Sequence, residues 1–65
     1  MLRTTAGENV TVEDIPGAEF GFDDIGVYDK GELVRSFNSL SDDYALTNAF
    51  QFARDYAKRT YGGEN

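Results

Sequence analysis

The sequence contains no cysteine, no histidine and no tryptophan, and only one proline and one methionine. Without cysteine there is no disulfide framework and no thiolate metal site, so the core alone must hold the fold. Lacking both histidine and cysteine, the chain has no imidazole base and no thiol nucleophile, and Ser36, Ser39 and Ser41 have no evident base partner. Cysteine-free composition fits a reducing cytosol. No apolar run approaches the roughly 20 residues that cross a bilayer. The opening MLRTTAGENV has one Arg and no apolar stretch of the secretory kind, so no export signal is expected. Cations are scarce as well: six Lys and Arg stand against 12 Asp and Glu, for a net charge of -6.

What is present is enough to fold. The 65 residues amount to one domain, and a chain of that size buries only about 60% of its unfolded surface, so stability should be marginal. With 40% hydrophobic residues, five Phe and four Tyr, the composition argues against disorder. The charge is uneven. Residues 8–43 hold ten acids and two bases, whereas residues 44–65 hold two acids and three bases. An acidic front of this kind repels nucleic acid and anionic membrane and attracts basic surfaces.

The C-terminal segment SDDYALTNAFQFARDYAKRTYGG predicts a helix over 41–61. Ser41 is a favourable N-cap, and Asp42 and Asp43 would sit on the first turn, where the helix dipole favours acids. Leu46, Ala49, Phe50, Ala53 and Ala57 fall on one helical face, with Phe52 and Tyr56 at its flank. Arg54, Lys58 and Arg59 crowd the last turns, with Asp55 as an ion-pair partner, and Gly62-Gly63 supplies a stop. Ahead of it, residues 10–15 (VTVEDI), 18–22 (AEFGF), 25–28 (IGVY) and 33–37 (LVRSF) read as short strands bounded by turn formers. Pro16-Gly17 and Asp23-Asp24 mark turns, and Asp-Lys-Gly within YDKGEL reads as a three-residue hairpin loop with Gly31 left-handed. The expected fold is α+β. Residues 1–40 form a small antiparallel sheet of three or four short strands and their hairpins, and one long C-terminal helix over 41–61 packs on one face, all in a single domain 1–65.

Alternation along 18–24 puts Phe20 and Phe22 toward the helix and Glu19, Gly21 and Asp23 on the far face. Same-face neighbours in a strand lie about 6.6–6.8 Å apart, close to the phosphate spacing along one nucleic-acid strand. Other chemistry is thin. DDIGVYDKGE lacks the spacing of a calcium loop and carries Lys30 in its middle. No glycine-rich phosphate cradle precedes a helix. The acidic surface is the remaining signal, weighed against plain solubility and against a general acidic adaptation to salt.

A small, cysteine-free, strongly acidic domain with a hairpin sheet and one helix resembles phage-encoded anti-CRISPR proteins, in particular acidic inhibitors of type I Cascade complexes, I-C among them, some of which act as DNA mimics. The resemblance rests on Glu13, Asp14, Glu19, Asp23, Asp24, Asp29, Glu32, Asp42 and Asp43 and on the overall architecture. It implies a non-enzymatic inhibitor that uses these nine carboxylates to occupy the positively charged DNA-binding surface of a Cascade subunit and block target DNA. It further implies no metal and no cofactor, no direct nucleic-acid or membrane binding, a monomer, and the cytoplasm of the phage's host. The alternative is an adaptor or antitoxin-like module that docks through Phe52, Tyr56 and Tyr61 on its helix.

Overall fold

The computed structural model describes residues 3–7, 9–19 and 21–62. Among these residues four strands form one antiparallel meander in the order β1 (Arg3–Thr5), β2 (Val10–Asp14), β3 (Ile25–Asp29) and β4 (Glu32–Phe37). An α-helix, α1 (Ala45–Ala57), follows and lies across the sheet, and a π-helical turn over Lys58–Gly62 ends it. The expected α+β architecture with a C-terminal helix on one face is therefore the one observed.

Packing explains why the helix lies where it does. Ala45, Ala49, Ala53 and Ala57 are buried at every fourth position against Val10, Val12, Ile25 and Val27 of the two central strands. Alanines carry no bulk beyond Cβ, so the helix approaches the β-branched face closely. Phe37, Phe50, Phe52 and Tyr56 close the flanks of this small core. Phe52 meets Phe37 edge-on at 6.2 Å and stacks with Tyr56 at 6.0 Å. Leu46, expected in the apolar stripe, is instead exposed, and Ala45 takes its place.

Several local expectations are corrected. Residues 18, 19, 21 and 22 lie in no strand: the Phe22 amide donates to the Glu19 carbonyl at 3.0 Å, closing a turn, and Phe22 is 65% exposed. Gly21 at φ 89 and the preceding Pro16-Gly17 turn, with Gly17 at φ 75, break the extension a strand needs. The alternation that sent Phe22 inward and Glu19 and Asp23 onto a sheet face therefore does not exist, and Phe20 lies outside the described residues. Asp23-Asp24 is not a turn. Asp24 prolongs the ladders on both sides, its amide donating to Phe37 and its carbonyl accepting from Ile15.

The β3–β4 loop has two residues, not three. Asp29 pairs with Glu32, and Lys30 and Gly31 both have positive φ, 54 and 85. That is the primed hairpin geometry whose twist matches the flanking strands, and only Gly31 adopts it without strain. One extra residue, Val34, bulges out where Val27 pairs with Arg35 and Tyr28 with Leu33. The three-residue β1 was not anticipated at all.

The helix starts later than its sequence suggests. Ser41 does not cap it, and the first helical turn carries no acid. Asp42 and Asp43 precede the helix in a turn. The Asp42 carboxylate accepts the Tyr44 amide and the Asn48 side-chain amide, both at 2.9 Å, so Asp42 fastens the entry from outside. Gly63, expected as part of the helix stop, lies outside the described residues.

Candidate acidic interaction surface

Strand register fixes which end of the molecule each carboxylate occupies. Asp14 pairs with Ile25 at the end of β2, directly beside Asp24. From there a net of hydrogen bonds draws the β2–β3 loop and the β4–α1 connection together. The Ser36 hydroxyl donates to Asp23. The Ser39 hydroxyl and amide donate to the two oxygens of Asp24, at 2.5 and 2.9 Å. The Asn38 side-chain amide donates to the Gly21 carbonyl at 2.8 Å, tying the 18–22 loop to the segment after β4. The Asn38 carbonyl in turn accepts the Asp42 amide at 3.1 Å. Asp14, Glu19, Asp23, Asp24, Asp42 and Asp43 thus share one end of the fold, where α1 begins.

The positive end of the helix dipole faces the same region and stabilises the negative charge there. The donors that hold Asp23, Asp24 and Asp42 are neutral hydroxyls and amides, so they orient the carboxylates without cancelling their charge. The Ser39 hydroxyl, then its backbone amide, hold the Asp24 carboxyl below the usual carboxylate range. Lys30 lies at the other end, over the Tyr61 ring at 5.7 Å, and Arg35 sits over the rings of Phe37 and Phe52 at 5.0 and 5.2 Å.

The other three carboxylates stand apart. Glu13 lies on the face of the sheet away from α1, opposite Gly26, and accepts the Thr11 hydroxyl at 2.6 Å. Asp29 and Glu32 flank the β3–β4 turn, at the far end of β3 from Asp24, roughly 16 Å along the strand at its usual rise. There Asp29 accepts both the Tyr61 hydroxyl at 2.6 Å and the Tyr56 hydroxyl at 2.7 Å. Tyr61, then Tyr56, hold the Asp29 carboxyl below its ordinary range, and Asp29 pushes the Tyr61 phenol up to about 12. Arg54, Lys58 and Arg59 lie at this same end, on the last turns of the helix. The molecule is therefore polar along its strands, with an acidic pole at the helix start and a mixed pole at the helix end. The single sheet face lined by evenly spaced carboxylates does not form, because residues 18, 19, 21 and 22 lie in no strand.

Two features escaped sequence reasoning. One is the Asp29 clasp. Tyr56 and Tyr61 are five apart, a spacing that points in different directions on an α-helix; the wider π turn, with its i to i+5 bonding, brings both phenols to one carboxylate. The other is a cleft of about 310 Å³ at the acidic pole, lined by Ala18, Glu19, Gly21, Phe22, Asp24, Asn38, Ser39 and Leu40. The signal for it in the sequence was the Asn38-Ser39 pair, two side chains able to bond the backbone and carboxylate of a neighbouring loop. Among the described residues no group of three or more Asp and Glu side chains is placed to hold a metal ion, and no helix is long and apolar enough to cross a membrane.

The helix anchors of an adaptor are engaged internally: Phe52 and Tyr56 are half-buried in the ring cluster, and the hydroxyls of Tyr56 and Tyr61 are bound to Asp29. No protein-family model, curated protein or solved structure matches the chain.

Proposed function

We propose that the protein is a non-enzymatic inhibitor that binds the positively charged nucleic-acid-binding surface of a partner through its acidic pole, standing in for DNA phosphates. The observation that carries this reading is the gathering of Asp14, Glu19, Asp23, Asp24, Asp42 and Asp43 at one end of a folded scaffold, with neutral donors orienting Asp23, Asp24 and Asp42. Surfaces that bind DNA are rows of Lys and Arg that gain affinity by neutralising phosphates. Arginine pairs with a carboxylate in the same two-pronged geometry as with phosphate. Carboxylates already held in place lose little entropy on docking. Glu13, Asp29 and Glu32 lie away from this pole and play a lesser part.

The resemblance to acidic inhibitors of type I systems makes a Cascade complex the first partner to test, with the protein acting as a monomer in the host cytoplasm. The test is binding of charge-reversed variants to purified Cascade. Asp23→Lys with Asp24→Lys abolishes binding while circular dichroism shows the fold intact, and Glu32→Lys at the opposite pole changes it little. Equal losses from both poles, or none from either, would contradict the reading.

A further inference from the structure

The cleft at the acidic pole has a chemistry of its own. Phe22 is 65% and Leu40 58% exposed, a high cost in water for two large apolar side chains on so small a protein. They line the same cleft as Glu19 and Asp24. The cleft is braced as well: Asn38 holds the Gly21 carbonyl on one side and the Leu40 amide, at 2.9 Å, on the other, while Ser39 holds both oxygens of Asp24. Each of those oxygens accepts one bond from Ser39, and a carboxylate has about four acceptor sites in all, so capacity remains for a further donor.

We infer that this cleft is a receptor for one arginine side chain of the basic partner. An occupant must be apolar along its length, to cover Phe22 and Leu40, and cationic at its tip, to meet Glu19 and Asp24. Arginine meets both demands. Its methylene stem covers apolar surface, and its planar guanidinium stacks on an aromatic ring while its fork of donors bonds carboxylates. Lysine, a compact and strongly hydrated point charge, satisfies the charge and not the stacking or the fork. A cleft of about 310 Å³ is large enough for such a side chain and too open for a drug-sized molecule to be enclosed. This inference rests on the proposed binding of a basic partner and adds the residue that would anchor it.

The experiment is a titration of the isotope-labelled protein with N-acetyl-arginine amide, and separately with N-acetyl-lysine amide, followed by amide chemical shifts. The arginine compound shifts the amides of Gly21, Phe22, Ser39 and Leu40 and saturates in the millimolar range, and the lysine compound binds several-fold more weakly. Glu19→Gln, which leaves the Ser39 bonds intact, weakens the arginine compound about tenfold, the loss of one charge-assisted hydrogen bond. Phe22→Ala, at an exposed position, weakens it about threefold. Equal binding of the two compounds, or shifts spread evenly over Asp14, Asp42 and Glu32 as well, would overturn the inference and leave only general attraction to acids. If the cleft stays silent while the protein still binds Cascade through Asp23 and Asp24, the inference fails and the proposed function stands. If the cleft responds and Cascade binding is absent, the arginine belongs to another basic partner.

Discussion

Asp29 is the acceptor shared by two phenols, so replacing it by Ala should release both. In the native protein Tyr61 ionises near 12, against about 10 for a free phenol. Asp29→Ala returns Tyr61 toward the ordinary value, which an ultraviolet pH titration reads directly. The same contact sets the pH dependence of stability at both extremes. Because the folded-state pKa of Asp29 lies below its unfolded value, its contribution is present above about pH 4 and fades as acid protonates the carboxylate. Because the folded-state pKa of Tyr61 lies above its unfolded value, its contribution is present below about pH 10 and is lost between there and about 12. Urea midpoints across pH, native against Asp29→Ala, should converge at both ends and separate in the middle. None of this was visible in the sequence, since a five-residue tyrosine spacing fits no α-helical face and becomes meaningful only through the π turn.

Among the elements, the helix and its partners were the most legible and the acidic loop the least. Val10, Val12 and Val27 are β-branched residues in alternating or flanking positions, and the alanines of α1 recur on one face; both patterns survive into the core because burial enforces them. AEFGF has the same look of alternation, but Gly17 and Gly21 at positive φ turn the backbone, and no neighbouring strand is there to pair with it. The alternation was composition without a ladder. The helix start differs for a related reason: Ser41 is a good cap by residue type, but Asn38 and Asp42 hold the segment before the helix in turns, so Tyr44, with no side-chain cap bond, precedes its first residue. Two substitutions test these elements. Ala53→Leu places a larger side chain where Ala53 is fully buried against the sheet, and should lower stability by about 1–3 kcal/mol in urea denaturation. Gly31→Ala, at φ 85 in the two-residue hairpin, should cost about 1–2 kcal/mol, with little effect on partner binding because the turn lies at the other pole.

At the scale of the whole molecule, the sequence located the charge along the chain but not in space. It was clear that residues 8–43 are acidic; that six of the nine singled-out carboxylates meet at one end follows from strand register and from the bonds of Ser36, Asn38 and Ser39 across loops, which no local pattern encodes. Concentrating like charge in a small fold is costly, and neutral donors together with the positive end of α1 offset part of that cost. An interface built this way is sensitive to salt: raising it from about 50 to about 200 mM should weaken Cascade binding by at least about tenfold, mostly through slower association. The most direct test of the account is competition on Cascade itself, measuring how much target duplex DNA remains bound as the protein is added. The account predicts that DNA and protein exclude one another, each displacing the other in proportion to concentration, and that Asp23→Lys with Asp24→Lys displaces nothing. A complex that holds the protein and its duplex target at the same time, with neither affected by the other, would contradict it.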